Sequence, residues 1–177
     1  TRIWTATDAC GNIATHTQLL TVNDSETPVL SEQPANVSVS CDAIPVKPSI
    51  TASTSCGTLT VDYNETRNDG SCANSYELLR TWTATSGSGV VTTYTQTITV
   101  TDTTAPTFDE TLPVDMTISC GSIPVAATLT ATDNCGTDRP VVTFTETSTQ
   151  SQNPLNYVIT RIWTATDACG NIATHTQ

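Results

Sequence analysis

The segment TRIWTATDACGNIATHTQ occupies residues 1–18 and recurs without a change at residues 160–177. Such a long identity is not expected within one globular domain, so the chain is interpreted as part of an array whose period runs from Thr1 to the next copy at Thr160. A shorter period lies inside this one, because Trp82 stands nearly midway between Trp4 and Trp163 in equivalent sequence surroundings. The repeating unit is therefore about half of the long period, and two slightly different units alternate.

Composition and turn spacing predict an all-β fold. Threonine- and valine-rich runs such as AATLTAT (126–132) and VVTFTET (141–147) are typical of short strands, and turn residues follow each of them. About seven such strands per unit, with no helical period, indicate a β-sandwich. We expect residues 1–27 to be the last two strands and linker of a preceding module. A first complete module then covers residues 28–106, and a second module, with its final strand truncated, covers residues 107–177.

The charge pattern and the residue types exclude several functional classes. The formal net charge is −11 and only six residues are basic, so a nucleic-acid partner is not expected. No apolar run is long enough to cross a bilayer, so no membrane span is expected in this segment. One histidine per period supplies neither a nucleophilic His/Ser/Asp set nor a Cys/His zinc spacing, and the segment is predicted not to be an enzyme.

Four phrases carry a resemblance to a known family: RTWTAT (80–85), TATDACGN (164–171), TQTITVTDTTAPTF (95–108) and TATDNCG (130–136). They resemble the hyalin-type (HYR-like) immunoglobulin-like repeats of very long bacterial surface proteins, including gliding-type adhesins. The resemblance covers the whole chain. It implies tandem immunoglobulin-like antiparallel β-sandwich modules arranged head to tail. It also implies export to the cell surface and a bead-like stalk of identical repeats.

The cysteines predict a disulfide framework, which requires an oxidising compartment. The resemblance suggests four cysteines per module, but each complete module has three. The expected strand order places Cys41 and Cys72 at one end of the first module, and Cys135 and Cys169 at one end of the second. We therefore predict two bridges, Cys41 with Cys72 and Cys135 with Cys169. A rival scheme pairs Cys41 with Cys56 and joins Cys72 to Cys169 across the module junction.

Three cysteines are left over in the favoured scheme. Cys120 would face the Cys56 equivalent of a following repeat, so a bridge between modules is one alternative and two free thiols are the other. Cys10 is expected to pair with an upstream equivalent of Cys135. This expectation belongs to a wider one, that the chain is a window on a longer filament of identical periods.

Two further kinds of site are candidates near the junction of the two complete modules. Asp102, Asp133 and Asp167 supply hard oxygen ligands from turns and are candidate calcium ligands; the alternative is that each aspartate bonds the backbone of its own turn. At the preceding junction Thr54 and Ser86 replace two of these acids, so calcium is expected only at the later one. The phrase DTT (102–104) resembles an O-glycosylation motif with Thr103 as acceptor.

The aromatic residues are predicted to be structural. A core tryptophan flanked by an arginine whose head reaches water is the favoured interpretation of Trp163, with an exposed Trp–Arg stack as the alternative. His175 occupies the position of Tyr94 in the other unit, which indicates a packing role.

Together these features predict an extracellular, cell-surface repeat segment of an adhesin or filament, stapled by disulfides. Two alternatives remain open at this point: direct binding of polysaccharide or another surface ligand by the repeats, or an accessory role on a secreted enzyme.

Overall fold

The computed structural model describes residues 1–119, 121–150 and 155–177. Every regular element in those residues is a β-strand, which confirms the predicted all-β class. None of them forms a helix that could cross a membrane. The strands are β1 Arg2–Thr7, β2 Ile13–Gln18, β3 Val29–Leu30, β4 Val37–Ser40, β5 Ala52–Ser53, β6 Leu59–Cys72, β7 Ser75–Ser86, β8 Val91–Thr101, β9 Thr107–Phe108, β10 Ala131–Thr132, β11 Val141–Ser148, β12 Ile159–Thr166 and β13 Ile172–Thr176.

The strands form several separate sheets, as expected for β-sandwich structure. One sheet has the strand order β4-β8-β7-β6 and another has the order β11-β12-β13. Two-stranded sheets join β1 with β2, β3 with β5, and β9 with β10.

One pair departs from the predicted antiparallel arrangement. β4 runs parallel to β8, with Val37 opposite Ile98 and Ser40 opposite Thr101. Parallel neighbours need a long crossover, and the strands β5 to β7 lie between these two in the chain. The purely antiparallel expectation is therefore wrong at β4, while the registers of β1 with β2, β3 with β5, β9 with β10, and β12 with both its neighbours are antiparallel.

The chain divides into two compact units. The smaller consists of residues 1–31, 50–62 and 83–93, and the larger of residues 32–49, 63–82 and 94–177. Leu30, Ile50 and Ala84, together with Pro28, are the buried apolar residues of the smaller unit. The predicted module boundaries at residues 27 and 106 do not coincide with these units and stay predictions.

Within the larger unit, one set of contacts occurs twice. Trp82 and Trp163 are 2% and 1% exposed, and each packs against an aromatic ring on the preceding strand, Tyr63 or Phe144. The Tyr94 hydroxyl donates to the carbonyl oxygen of Pro34 at 2.6 Å, and His175 Nε2 donates to that of Pro113 at 2.8 Å. The predicted equivalence of Tyr94 and His175, and the core location of these two tryptophans, are confirmed.

A buried arginine accompanies each of these tryptophans. Arg80 Nε lies 2.7 Å from a Glu65 oxygen and Arg161 Nε lies 2.7 Å from a Glu146 oxygen. Each guanidinium also donates to a proline carbonyl, Pro45 at 2.9 Å and Pro124 at 2.6 Å. The arginine heads are therefore paired inside the fold, and the expectation that the arginine beside Trp163 reaches water is wrong.

Candidate functional site

Two disulfides and a group of polar side chains lie together in the larger unit, around the end of β8. Cys41 is bonded to Cys135 with a Cα separation of 5.7 Å, and Cys72 is bonded to Cys169 with a Cα separation of 5.1 Å. Each bridge joins a cysteine of the predicted first module to a cysteine of the predicted second module. We call these four cysteines and the polar residues around them the bridge site; the polar residues are Asn74, Ser75, Asp102, Asp133 and Asn171.

The predicted pairing of Cys41 with Cys72 and of Cys135 with Cys169 is wrong. The grouping behind it, two cysteines at one end of each module, assumes that each pair closes within its own module. The bonds instead run between the two predicted modules, from Cys41 to Cys135 and from Cys72 to Cys169. The rival scheme is right about Cys72 with Cys169 and wrong about Cys41 with Cys56, because Cys56 is free.

The leftover cysteines have different outcomes. Cys10 and Cys56 are free and exposed. Cys120 lies outside the described residues, so the predicted bridge between Cys120 and a following Cys56 equivalent stays a prediction.

Asp102, the residue after β8, lies at the centre of the bridge site and is 6% exposed. Its carboxylate accepts hydrogen bonds from the Asn74 amide at 3.4 Å, the Asn171 amide at 3.4 Å and the Thr104 backbone N–H at 3.3 Å. Burial raises the pKa of Asp102, and the charges of Asp133 and Asp167 raise it further. This carboxylate therefore carries an electrostatic cost when it is ionised.

Asp133 brings a second carboxylate close to the first. Ligand atoms of Asp102, Asp133 and Cys135 lie within 4.8 Å of one another. Asp133 Oδ2 accepts the backbone N–H of Cys135 at 2.9 Å, whereas Oδ1 is buried without a hydrogen-bond partner in the described structure. The sulfur of Cys135 belongs to a disulfide and is no thiolate, so only carboxylate oxygens are suited to a cation here.

Asp167 uses its carboxylate within its own turn. Its Oδ1 accepts the backbone N–H groups of Cys169 and Asn171, each at 2.8 Å, and its Oδ2 accepts the Asn171 amide at 2.8 Å. Partial burial opposes ionisation, but the hydrogen bonds from Asn171, Cys169 and Gly170 outweigh it and lower the pKa of Asp167. Of the three predicted calcium ligands, the structure thus places Asp102 and Asp133 together and shows Asp167 satisfied by its turn.

Turn capping, the alternative to calcium binding, is confirmed as a role of these aspartates. Asp8, Asp133 and Asp167 each accept the backbone N–H of the cysteine two residues later. Calcium binding stays a prediction that now depends on Asp102 and Asp133. Thr103 is exposed in the loop after β8, and its glycosylation stays a prediction.

Three residues of the bridge site escaped prediction: Asn74, Ser75 and Asn171. Asn74 donates to the carbonyl oxygen of Cys135 at 3.2 Å as well as to Asp102, and the Ser75 hydroxyl lies 3.9 Å from the Cys169 sulfur. Each of the three lies close to a cysteine in the sequence, and that proximity was the available signal. Asn74, which is close to Cys72 in the sequence, thereby links the backbone around one bridge to the backbone around the other.

The smaller unit holds a reduced version of the same arrangement. Asp24 accepts the Ser88 hydroxyl at 3.3 Å, where Ser88 stands at the position of Cys169 in the repeat. Glu26 accepts the Ser55 hydroxyl at 2.6 Å, beside the free Cys56. Hydroxyl groups thus contact Asp24 and Glu26 here, in the way that Asn74 and Asn171 contact Asp102 in the bridge site.

No protein-family model matches the chain, and the curated proteins contain no significant match. The two disulfides indicate an oxidising, extracellular type of compartment.

Proposed function

We propose that this chain is a repeat segment of a long cell-surface protein of HYR-like type, in which it acts as a disulfide-stapled spacer in a stalk or fibre. In this proposal the modules are immunoglobulin-like and follow one another head to tail. The surface protein projects some other region away from the cell, and the repeats set the distance.

The observation that carries the proposal is the pairing of the cysteines in the two bridges. Both join a residue of the predicted first module to a residue of the predicted second, so the peptide linker at residues 102–106 is one of three covalent connections. Three connections remove the rotational freedom that a single linker leaves between beads. A stiff junction is what a spacer needs.

The recurrence of the tryptophan, arginine and glutamate contacts supports the same proposal. Arg80 with Glu65 and Arg161 with Glu146 show the same 2.7 Å ion pair at equivalent positions of the repeat. Two equivalent cores within one chain are expected for a repeat protein.

Direct binding of polysaccharide has less support. Stacking on a sugar needs an exposed aromatic face, and Trp82 and Trp163 are both buried. Trp4 is exposed, but its sequence copy Trp163 shows that the same side chain is suited to a protein core.

Small-angle X-ray scattering tests the proposal. The oxidised chain should scatter as one extended, stiff particle, and the double variant Cys72→Ser with Cys169→Ser should show greater flexibility with the same fold by circular dichroism. Cys56→Ser is the matched control, because it removes an exposed cysteine that has no bridge. A compact particle, or scattering that does not change when the bridge is removed, contradicts a stapled spacer.

A further inference from the structure

β11 is an edge strand of its sheet, and among the described residues its hydrogen-bonded neighbour is β12 alone. The Thr149 N–H donates to the Val158 carbonyl oxygen at 3.0 Å, and these two residues are opposite each other when the register of β11 with β12 is continued. Hydrogen-bonded residues alternate along an antiparallel ladder, so the odd-numbered residues of β11 are the ones that bond β12. The backbone N–H and C=O groups of Val142, Phe144 and Glu146 therefore point to the open edge.

The side chains of β11 give this edge little protection against pairing. Glu146 is the single charged residue of the strand, and Arg161 of β12 compensates it at 2.7 Å. Val141 is 66% exposed and Phe144 is 45% exposed, although Phe144 also contacts the buried Trp163 ring. An exposed edge strand with β-branched residues and few charges is a place where another strand can pair.

The equivalent edge strand of the other repeat, β6, has a lysine over its aromatic ring. Tyr63 stands at the position of Phe144, and Lys47 Nζ lies 4.2 Å from the centroid of the Tyr63 ring. The repeat that contains β11 has Ala126 at the position of Lys47. Lysine is a residue that natural proteins use to keep edge strands from pairing, and the β11 repeat lacks it.

The two strands themselves differ in the same direction. Asp62 of β6 corresponds to Thr143 of β11, and Arg67 corresponds to Ser148. Each difference puts a small hydroxyl side chain in place of a charged one. One edge of the repeat pair thus carries charges that oppose strand pairing, and the other edge does not.

We propose that β11 pairs antiparallel with β11 of a second copy of this chain and joins the two three-stranded sheets into one sheet. The pairing is isologous, and its two-fold axis places Phe144 opposite Phe144 of the second copy. Val142 then faces Glu146 of the second copy, and Thr143 faces Thr145. The free N–H groups of Val142, Phe144 and Glu146 in each copy meet the free carbonyl oxygens of the same residues in the other copy.

Side-chain chemistry selects this register. It brings two half-exposed Phe144 rings together, and cross-strand aromatic pairs stabilise a sheet. It also places each Glu146 opposite Val142, so that the two carboxylates do not face each other. Arg161 of the same chain continues to compensate Glu146 in the dimer.

The contact between two copies is small, because it is confined to residues 141–147 of each copy. Standard protein interfaces bury about 800 Å² per partner, and one added strand pair buries less. We therefore expect a weak dimer, with a Kd above about 1 µM. In a long stalk many such edges act together, so neighbouring stalks associate side by side.

Sedimentation velocity between micromolar and millimolar concentrations tests the association. Every sample carries Cys10→Ser and Cys56→Ser, because exposed free thiols can link copies through disulfides. We expect a monomer–dimer equilibrium that the double variant Ala126→Lys with Thr143→Asp abolishes. These substitutions restore the residues that the other repeat has at the same positions, so the fold should accept them, and circular dichroism checks this.

Val46→Lys with Thr66→Asp is the matched control, because it adds the same two charges to the other repeat. Val46 is 92% exposed, and this variant should dimerise like the parent chain. A parent chain that stays monomeric over the whole concentration range overturns the proposal. A dimer that Ala126→Lys with Thr143→Asp leaves unchanged overturns it as well.

Amide hydrogen exchange identifies the paired strand without relying on the edge variants. At high concentration the N–H groups of Val142, Phe144 and Glu146 should exchange about 10-fold more slowly or less, whereas those of Thr143 and Thr145 already bond β12 and should change little. A dimer in which the three even-numbered amides gain no protection contradicts pairing through β11. The side-by-side association of stalks rests on the proposed function, but the strand pairing does not, and the scattering test uses the bridges, so either can fail without the other.

Discussion

Cys72 and Cys169 are 97 residues apart in the chain, and their Cα atoms lie 5.1 Å apart. A bridge that closes so long a loop restricts the unfolded chain strongly. We expect the double variant Cys72→Ser with Cys169→Ser to lose about 2–5 kcal/mol of unfolding free energy, measured by urea denaturation. Cys56→Ser, at an exposed free thiol, should change it by about 0.5 kcal/mol or less. Equal midpoints for the double variant and the wild type would show that the bridge contributes nothing.

The buried arginines should matter more than exposed ones. Arg161→Met removes the ion pair with Glu146 and leaves the Pro124 carbonyl without its donor, so we expect a loss of about 1–3 kcal/mol. Arg80→Met should behave alike because its contacts are equivalent. Arg139→Met, at a side chain 67% exposed in its pair with Asp109, should cost less than about 1 kcal/mol in the same denaturation assay. A cost at Arg139 equal to that at Arg161 would contradict this ranking.

Tyr63 should titrate at a higher pH than a tyrosine in the unfolded chain. Burial, together with the hydrogen bond to Glu65 and its negative charge, raises the pKa of Tyr63 to about 12. Because the folded pKa exceeds the unfolded value of 10.0, the protonated Tyr63 hydroxyl stabilises the fold below pH 10. This stabilisation is lost as the pH rises through about 12. Ultraviolet titration of the four tyrosines should therefore show one late transition that is absent in Tyr63→Phe. Phe144 stands at the equivalent position, so the fold accepts this substitution, and a wild-type titration without the late transition contradicts the prediction.

Asp102 should destabilise the fold at neutral pH. Burial raises the pKa of Asp102 above 3.8, and the charges of Asp133 and Asp167 raise it further. The protonated carboxyl therefore stabilises the fold fully below pH 3.8, and this stabilisation is lost as the pH rises through the folded pKa. We expect Asp102→Asn to melt at a higher temperature than the wild type at pH 7. The difference should narrow as the pH is lowered towards 4.

Asp109→Asn is the matched control for that measurement. Hydrogen bonds from the Thr130 and Thr132 hydroxyls lower the pKa of Asp109. The ionised carboxylate therefore stabilises the fold above pH 3.8, and this stabilisation is lost as the pH falls through the folded pKa. This variant should melt lower than the wild type at pH 7. A pH-independent difference for Asp102→Asn would mean that charge is not the cause.

The calcium prediction has a simple thermal test. Added calcium should raise the melting temperature of the wild type by neutralising Asp102 and Asp133, and it should not affect Asp133→Asn. Chelator should lower the melting temperature less than reductant does, because the bridges contribute more than the ion. A wild-type melting temperature that does not respond to calcium contradicts the prediction.

Features that depend on the sequence repeat could be predicted from the sequence, whereas features that depend on strand register could not. Alignment of the two repeats predicted that Tyr94 and His175 are equivalent, because equivalent positions have equivalent partners. The burial of Arg161 is not evident from the sequence because its partner Glu146 is a cross-strand neighbour, and that pairing depends on the register of β11 and β12. The bridges escaped prediction for a related reason. The bonds join cysteines that are more than 90 residues apart, and the cysteine spacing within each predicted module does not contain that information.

The two bridges also determine how the segment responds to tension. Force applied to both ends of the chain follows the shortest covalent route, which passes from Cys72 to Cys169 through the sulfur atoms. The residues between them, at about 3.3 Å each when extended, hold about 300 Å of contour length that cannot be drawn out while the bridges are intact. Reduction releases that length, so the redox state of the surroundings decides how far this segment can be extended.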